Sequence, residues 1–517
     1  MINNNFIETV IMPVFSRKDS IAEAFCIADK KYSYKQFYDI IEQIYSIVVD
    51  LPEDNIALYT VDDIRTYASI YALWACGKSY VPLNPKQPRE RHLEVVTSIN
   101  SHYILSADKK YDILSEGINM ISTRDILDID YQRKDNMLIK EVEDSCLAYI
   151  IFTSGSTGKP KGVQLTRGNL AAFIDSMNHV EDLSILPEDK CLQPFDFTFD
   201  MSVSSYVLPL TKGACVYTIP HKAIKFTYIA GLLEDYHLTV LQMVPSMIRN
   251  MLPYMDEVQL DSVRYNILAG EALTGTVLKK WHEGNQNMIS YNMYGPTEDT
   301  VYCRYYKVDK NNIVNPLSSN DIINIGKSFL NNKILLLDEN DKIIKNTNEE
   351  GELCIKINPD TSVMIGYKDD PEKTNKCKLL HDDKTMWLHT NDLAYIDEEG
   401  FVHSNGRISE IIIKAGFKIS PVTVENVILM HPMVSSCKVI GVPDPKVIAI
   451  PLAFIVLNDN NVDINKTIEE IRELCTKYLT YDYFTPDKFV IIDKMPLNNS
   501  GKPDRGKLLQ KIKQETL

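Results

Sequence analysis

The feature that most constrains the fold is the alternation of short β-rich runs with helical patterns, which continues up to about residue 400. Residues 56–60 read Ile-Ala-Leu-Tyr-Thr and predict a strand, and residues 63–76 carry apolar side chains at helical spacing. Gly77 predicts the end of this helix, and residues 80–83 predict the next strand. Alternation of this kind indicates parallel sheets flanked by helices, which is an α/β fold.

The last hundred or so residues follow a different pattern. Strands are predicted at residues 411–413, 437–442 and 449–456, and a helix is predicted at residues 422–431 with Pro421 at its first turn. This is an α+β pattern. We therefore expect a large N-terminal domain of helix-flanked β-sheets over residues 1–408 and a small α+β domain over residues 409–517. A chain of 517 residues is also too long for one core.

Composition excludes several classes of protein. The net charge of −15 disfavours nucleic acid as a partner, because an acidic surface repels phosphodiesters. No apolar segment is long enough for a membrane span, and the N-terminus lacks the pattern of a signal peptide. The ten cysteines stand singly without zinc spacing, which is typical of free buried thiols in a reducing compartment. We expect a cytoplasmic protein.

The strongest local motif is a polar loop after an apolar strand, at residues 149–162. Its glycines allow backbone N–H groups to turn toward an anion, its hydroxyls add donors, and its lysines neutralise charge, as a polyphosphate requires. The spacing is not that of a Walker A loop. The alternative is a flexible surface loop. The candidate phosphate ligands are Thr153, Ser154, Gly155, Ser156, Thr157, Gly158 and Lys161.

Seven ordered motifs spread over nearly the whole chain resemble those of the adenylate-forming superfamily, which includes acyl-CoA synthetases, luciferases and the adenylation domains of nonribosomal peptide synthesis. They lie at residues 80–91, 152–162, 292–298, 351–355, 390–394, 405–407 and 496–505. The resemblance implies that ATP and an acid bind between the large domain and a small mobile C-terminal lid. It also implies that the lid rotates between adenylation and thioester formation.

The resemblance implies roles for single residues. Tyr294 resembles the tyrosine that stacks on adenine, Thr297 the contact to the α-phosphate, and Glu298 the ligand of Mg²⁺, a cation that prefers oxygen ligands. Asp392 resembles the carboxylate that holds the ribose hydroxyls, and Arg407 its neighbour. Read alone, these charged residues would be ordinary surface groups. Beyond the phosphate loop, the implied ATP site comprises Gly270, Glu271, Ala272, Asn292, Met293, Tyr294, Gly295, Pro296, Thr297, Asp392, Arg407 and Lys502.

Lys502 and Thr297 are the expected catalytic residues. A carboxylate substrate is already ionised at neutral pH and needs no general base. The barrier lies in bringing two anions together, so a lysine that bridges the carboxylate and the α-phosphate supplies the required stabilisation. The alternative is a solvated lysine on a C-terminal loop. The Ser-Gly-Lys-Pro-Asp-Arg context at residues 500–505 favours the catalytic interpretation.

Asp200 determines which acid we expect. It resembles the aspartate of the amino-acid-activating branch, which holds the α-ammonium group of the substrate. A fatty or aryl acid would leave that buried anion unpaired. The alternative is a structural or helix-capping aspartate. The implied pocket favours a small or medium amino acid and comprises Asp200, Met201, Ser204, Gln242, Ile267, Ala269, Met293, Val301 and Tyr302.

The leading hypothesis is a free-standing amino acid:carrier-protein ligase, similar to the D-alanine:carrier-protein ligases, that loads the phosphopantetheine thiol of a separate carrier protein. An acyl- or aryl-CoA ligase is the alternative enzyme. A catalytically dead scaffold is disfavoured because Thr297, Glu298 and Lys502 are retained. Two positions depart from the family pattern: Asn391 stands where a glycine is usual, and Ser409 where the hinge aspartate or lysine is usual.

Overall fold

The computed structural model describes residues 5–108, 117–124, 137–154, 160–309, 313, 321–329, 332–357, 362–380, 384–444, 446–458, 462–479, 484–497 and 503–515. Within these ranges, no helix has the length and apolar character needed to cross a membrane. All ten cysteines are free thiols, and eight of them are buried, as the sequence predicts.

The large domain contains 21 strands within the described ranges. In chain order they are β1 (Glu23–Ile27), β2 (Lys30–Ser33), β3 (Asn55–Tyr59), β4 (Ser79–Leu83), β5 (Tyr103–Ser106), β6 (Asn119–Ser122), β7 (Leu147–Ser154), β8 (Pro160–Thr166), β9 (Lys190–Gln193), β10 (Cys215–Thr218), β11 (Val240–Met243), β12 (Tyr265–Leu268), β13 (Ile289–Tyr294), β14 (Arg304–Lys307), β15 (Lys327–Ser328), β16 (Ile334–Leu337), β17 (Gly351–Ile357), β18 (Gly366–Tyr367), β19 (Lys378–Leu380), β20 (Met386–Ile396) and β21 (Val402–Arg407).

Ten α-helices accompany these strands in the same described part of the chain. They are α1 (Met12–Phe15), α2 (Tyr34–Val48), α3 (Ile64–Ala75), α4 (Arg89–Ser98), α5 (Arg167–Asn178), α6 (Met201–Lys212), α7 (Lys225–Tyr236), α8 (Pro245–Met251), α9 (Gly275–Glu283) and α10 (Pro371–Cys377). A π-helical turn at Ile7–Ile11 precedes α1, and 3₁₀ turns lie at Leu252–Glu257, Thr297–Asp299 and Ile408–Glu410.

The strands of the large domain form three sheets. The nine-stranded sheet has the order β15-β14-β13-β12-β11-β9-β10-β1-β2, and the seven-stranded sheet has the order β18-β8-β7-β4-β3-β5-β6. Their central strands pair in parallel and are joined through helices, which confirms the predicted α/β fold. The third sheet is antiparallel, with the order β16-β17-β20-β19 and β21 paired to β20.

A single apolar core joins the two large sheets. Helix α3 lies within it, with eleven of its twelve residues buried, and its Trp74 indole donates to the Ala148 carbonyl oxygen at 2.9 Å. A helix that is apolar all round has to be enclosed by protein, and here the sheets and α2 enclose it. Strands β7 and β13 end at Ser154 and Tyr294. The carboxyl ends of parallel strands are where α/β folds bind ligands, and both ends carry predicted site residues.

The C-terminal part has its own sheet and its own core. Its elements are β22 (Ile412–Lys414), β23 (Phe417–Ile419), α11 (Pro421–Leu429), β24 (Val434–Asp444), β25 (Ile448–Leu457), α12 (Ile464–Tyr478), β26 (Lys488–Ile491) and α13 (Arg505–Glu515). The strand order is β23-β22-β25-β24, with β26 parallel to β25. This matches the predicted α+β pattern.

Candidate active site

The predicted phosphate loop joins two antiparallel strands. In the β7–β8 pair, Thr153 lies opposite Lys161. Gly162 is required here because a Cβ atom on it would lie 2.9 Å from the Phe152 ring and 3.0 Å from the Lys368 Cβ atom. The Lys368 N–H group donates to the Gly162 carbonyl oxygen at 2.7 Å. Residues Gly155, Ser156, Thr157 and Gly158, and the Ser154 side chain, lie outside the described part of the chain, so their roles stay predictions.

Tyr367 connects the phosphate hairpin to the predicted metal ligand. Its hydroxyl donates to Glu298 Oε1 at 2.6 Å, and the Lys161 ammonium group lies 5.3 Å from the centre of its ring. Burial, and after it the Glu298 carboxylate, raise the pKa of the Tyr367 phenol, which therefore stays a hydrogen-bond donor. Tyr367 belongs to none of the sequence motifs. In the sequence, Tyr367 is marked only by the glycine before it. In the structure, it lies on the short strand β18, which pairs with β8.

Three predicted nucleotide ligands meet at one carboxylate. The Tyr294 hydroxyl donates to Asp392 Oδ2, and Arg407 Nε lies 2.7 Å from Asp392 Oδ1. Arg407 also donates to the Thr390 carbonyl oxygen at 3.0 Å. Burial alone would lower the pKa of Arg407, but Asp392, Tyr294 and Glu298 together raise it. The two carboxylate oxygens of Asp392 thus face two different predicted nucleotide ligands.

The conformation of the segment before Asp392 accounts for the asparagine at position 391. Asn391 has φ = +61°, a left-handed conformation that glycine adopts freely and that asparagine tolerates better than most residues. The Asn391 side-chain oxygen accepts from the Ser409 N–H group at 3.2 Å. The two unusual residues therefore bond to each other, across the boundary predicted between residues 408 and 409.

Val301 and Tyr302 pack closely against Gly295, the residue that follows the end of β13. A Cβ atom on Gly295 would lie 2.5 Å from the Val301 carbonyl oxygen and 2.7 Å from the Tyr302 Cα atom, so no larger residue fits there. Thr300 and Val301 have φ values of +40° and +71°, which are costly for β-branched residues. Strain of this kind concentrates at functional sites, and here it lies between Thr297 and the predicted pocket.

The predicted adenine loop is held by its own polar contacts. The Glu271 carboxylate accepts from the Ser246 N–H group at 2.9 Å and from the Ser246 hydroxyl at 2.8 Å, and it pairs with Arg249 at 3.2 Å. The Asn292 amide donates to the carbonyl oxygens of Ile323 and Asn324 at 3.1 and 2.9 Å. Asn292 thus anchors β13 to the neighbouring segment through its amide hydrogens. Gly270, at φ = +83°, is followed by Glu271 and Ala272.

The nine residues of the predicted acid pocket are all buried. Six of them belong to the apolar core that joins the two large sheets: Met201, Ile267, Ala269, Met293, Val301 and Tyr302. The remaining three, Asp200, Ser204 and Gln242, are polar, with exposed fractions of 6%, 0% and 1%. Asp200 stands at the N-cap position of α6, yet its side chain makes no capping hydrogen bond. This outcome weakens the helix-capping alternative for Asp200.

Two polar groups, of which Tyr149 lies near Asp200, are buried without the partners that such groups normally have. The Tyr149 hydroxyl and both polar atoms of the Gln242 amide have no hydrogen-bond partner among the described residues. Burial, and after it the nearby Asp200 carboxylate, raise the pKa of Tyr302, and Asp200 also contributes to the raised pKa of Tyr149. The pocket therefore offers hydrogen-bonding capacity beside a buried anion. Tyr149 is not among the predicted pocket residues.

Asp299 is a second buried carboxyl group, next to Glu298 in the chain. It is fully buried, the Ser362 hydroxyl donates to it, and the Asn332 amide lies 3.3 Å from its Oδ2 atom. Burial raises the pKa of Asp299 to about 7, against the opposing effect of its hydrogen bonds. Asp299 is not among the predicted site residues. Lys502, the predicted catalytic lysine, lies outside the described residues.

Comparison with known proteins agrees with this arrangement. Residues 16–368 match the family model of AMP-binding enzymes, and residues 423–502 match the C-terminal domain model of the same enzymes. Bacitracin synthase 1 of Bacillus licheniformis is 28% identical over 468 residues, which are 90% of this chain and only 8% of that protein. Zwittermicin A synthase ZmaJ of Bacillus cereus is 26% identical over 466 residues, 88% of this chain and 85% of that protein.

A solved structure shows the same fold. The anthranilate CoA ligase AuaEII in complex with anthranoyl-AMP superimposes with a TM-score of 0.83 at 19% identity, covering 98% of each chain. The first family model alone spans more than half of the chain, and the fold and the order of the motifs agree with it. The chain belongs to the AMP-binding enzyme family, and thus to the adenylate-forming superfamily.

Proposed function

We propose that this protein activates an amino acid with ATP, forming an aminoacyl-AMP and pyrophosphate, and then transfers the aminoacyl group to the phosphopantetheine thiol of a carrier protein. The observation that carries the proposal is Asp200, a buried carboxylate whose side chain does not cap its helix and which lies near the phenols of Tyr149 and Tyr302. A cationic partner stabilises a buried anion, and the α-ammonium group of an amino acid is such a partner.

The pocket also limits the size and polarity of the substrate. Met201, Met293 and Tyr302 occupy space in the predicted pocket, which favours a small or medium amino acid. The Gln242 amide and the Tyr149 hydroxyl offer hydrogen bonds that a purely apolar acid would not use. These buried groups favour a substrate with polar groups in addition to its carboxylate.

The activation step requires no general base. A carboxylate oxygen of the amino acid attacks the α-phosphorus of ATP, and the bond to the pyrophosphate leaving group breaks. Thr297 and Lys502 have the proposed roles of hydrogen-bond donor to the α-phosphate and bridging cation, which stabilise the charge that develops there. Asp392 and Arg407 orient the ribose, and Tyr294 supports the adenine.

The residues present also suit a Mg²⁺ ion that accompanies ATP. Glu298 offers a hard carboxylate oxygen next to the phosphate hairpin, and the Tyr367 hydroxyl orients it through the 2.6 Å hydrogen bond. Bound there, the ion would neutralise phosphate charge. This chain contributes the carboxylate, its orientation and the lysine-bearing strand β8 beside it.

An acyl- or aryl-CoA ligase is the second candidate. The specific observation in its favour is the extensive likeness of fold to the anthranilate CoA ligase AuaEII. Such an enzyme uses the same adenylate chemistry but presents no ammonium group to Asp200. The two candidates therefore differ in the acid that they activate and in the thiol that accepts the acyl group.

Pyrophosphate release from ATP tests the proposal. The panel contains the twenty common L-amino acids, D-alanine, and fatty and aryl acids, assayed with the wild type and with Asp200→Ala. We expect one amino acid or a small related group to stimulate release, and Asp200→Ala to abolish that stimulation. Asp175→Ala, an exposed aspartate on α5, serves as the matched control. Stimulation by fatty or aryl acids alone, with no effect of Asp200→Ala, would replace the proposal with the CoA-ligase alternative.

A further inference from the structure

Three metal-binding side chains meet on the antiparallel third sheet. Glu352 and Cys354 lie two residues apart on β17, where the pairing with β20 shifts register, and Cys354 pairs directly with His389 on β20. One potential ligand atom from each residue lies within 4.8 Å of those of the other two. Among the described residues, this is the one such group of histidine, cysteine and acidic side chains.

The carboxylate of this cluster is already oriented. Glu352 Oε1 accepts from the Asn391 N–H group at 2.8 Å, while Glu352 Oε2 lies 2.9 Å from His389 Nδ1. One oxygen is thus fixed by the backbone, and the other faces the imidazole. Metal sites commonly use hydrogen bonds of this kind to hold ligating carboxylates in place.

We propose that Glu352, Cys354 and His389 bind a divalent transition-metal ion of the zinc class. Thiolate, imidazole and carboxylate are the ligands that Zn²⁺ takes in tetrahedral sites, whereas Mg²⁺ prefers oxygen ligands alone. Zinc bonds of about 2.0–2.3 Å place tetrahedral ligand atoms about 3.3–3.6 Å apart, so a small side-chain rotation closes the site. On binding, the Cys354 thiol loses its proton to solvent, and a water molecule completes the coordination.

The burial of the three side chains defines how the ion enters. Cys354 is fully buried, with Leu337 and Trp387 beside it, whereas the Glu352 and His389 side chains are 19% and 10% exposed. The ion therefore enters from the side of the carboxylate and the imidazole, and the thiolate lies at the bottom. Glu352 bonds to Asn391, which adjoins Asp392, so the site is one hydrogen bond away from the segment that carries the predicted ribose ligand.

The experiment uses the full-length protein, stripped of metal by a chelator and titrated with Zn²⁺. We expect one tight site per chain, and at least about tenfold weaker binding in each of Cys354→Ser and His389→Gln. The matched controls, His403→Gln and Cys437→Ser, should bind Zn²⁺ as the wild type does. His403 pairs with Asp397 at 2.8 Å on the same sheet, and Cys437 is a buried thiol in the other domain.

Replacement of Zn²⁺ by Co²⁺ gives a second readout that does not depend on the folding of any variant. The wild type loaded with Co²⁺ should show a thiolate-to-cobalt charge-transfer band, which identifies a cysteine ligand, and excess Mg²⁺ should not remove it. The proposal is overturned if that band is absent. It is equally overturned if Cys354→Ser and His389→Gln bind Zn²⁺ as tightly as the wild type.

Discussion

At the scale of single residues, the site consists of charged groups that other residues hold in defined positions. Asp392 is held by Tyr294 and Arg407, and Glu298 is held by Tyr367. In the proposed mechanism, a cation that approaches the α-phosphate stabilises the charge at the reacting centre. We propose Lys502 for that role, because two anions must be brought together at the reacting centre.

Lys502→Ala should lower the rate of adenylate formation by about 10²–10³-fold, because it removes a charge that stabilises the transition state. Binding of ATP, measured by calorimetry, should change far less than the rate. Lys507→Ala is the matched control, since this half-exposed lysine lies on α13 and pairs with Asp504 at 3.3 Å. Equal rates in Lys502→Ala and Lys507→Ala would remove Lys502 from the mechanism.

A residue of the candidate site can be predicted from the sequence only where it belongs to a recognisable motif. Tyr294, Asp392 and Arg407 were predicted from three separate motifs, and the structure brings them into contact. Tyr367 and its partner Glu298 are 69 residues apart, and no local pattern marks that pair. The close approach of the two follows from the pairing of β18 with β8, which is a tertiary contact.

At the scale of elements, local patterns predict most strand and helix ends to within two residues, although β24 begins three residues before its predicted start at residue 437. The predicted helix at residues 63–76 is observed at Ile64–Ala75, and the Asp63 side chain caps it by accepting from the Arg65 N–H group at 2.9 Å. The order of the strands within the sheets cannot be predicted from local patterns. The parallel pairing of β1 with β10 joins segments nearly two hundred residues apart, and no periodicity encodes it.

Substitutions of Asn391 can separate the effect of its left-handed backbone conformation from the effect of its side-chain hydrogen bond. Asn391→Gly and Asn391→Ala both lose the bond to the Ser409 N–H group, but only alanine is strained at φ = +61°. The alanine variant should be less stable than the glycine variant by about 1–2 kcal/mol, as measured by urea unfolding.

The same pair of variants should differ in nucleotide binding. Asn391→Ala should raise the KM for ATP relative to Asn391→Gly, because the strained turn displaces the neighbouring Asp392. Variants with equal stability and equal KM would show that the left-handed turn at Asn391 has no bearing on the ribose site.

At the scale of the whole molecule, the large and small domains have separate cores. The C-terminal core draws only on residues from Ile412 onward, and the two family models divide the chain in a similar place, at residues 16–368 and 423–502. The boundary between residues 408 and 409 stays a prediction. The shift in pattern made this division predictable, whereas buried carboxyl groups such as Asp299 depend on partners that only the folded chain brings together.

The stability of the whole molecule should depend on Asp299. Its pKa is raised by burial from 3.8 to about 7, so the folded state retains a proton that the unfolded chain loses. This contribution to stability is complete below the unfolded pKa of 3.8 and disappears as the pH rises through about 7. Between about pH 5 and pH 8, the wild type should lose about 3 kcal/mol more stability than Asp299→Asn, which stays neutral.

Urea unfolding of the two proteins at several pH values measures this difference. The difference between wild type and Asp299→Asn isolates one carboxyl group from the other titrating groups. Parallel stability curves for the two proteins would mean that Asp299 is ionised in the folded state.

The proposed role of Asp200 in holding the ammonium group is tested most directly with two substrates. They are the preferred amino acid and its desamino analogue, the same acid without the ammonium group. Pyrophosphate exchange gives kcat/KM for both acids in the wild type and in Asp200→Ala. We predict that the wild type favours the amino acid by about 10²–10³-fold, and that this ratio collapses toward unity in the variant, because the partner of the ammonium group is gone. If Asp200→Ala leaves this ratio unchanged, Asp200 does not hold the ammonium group of the substrate.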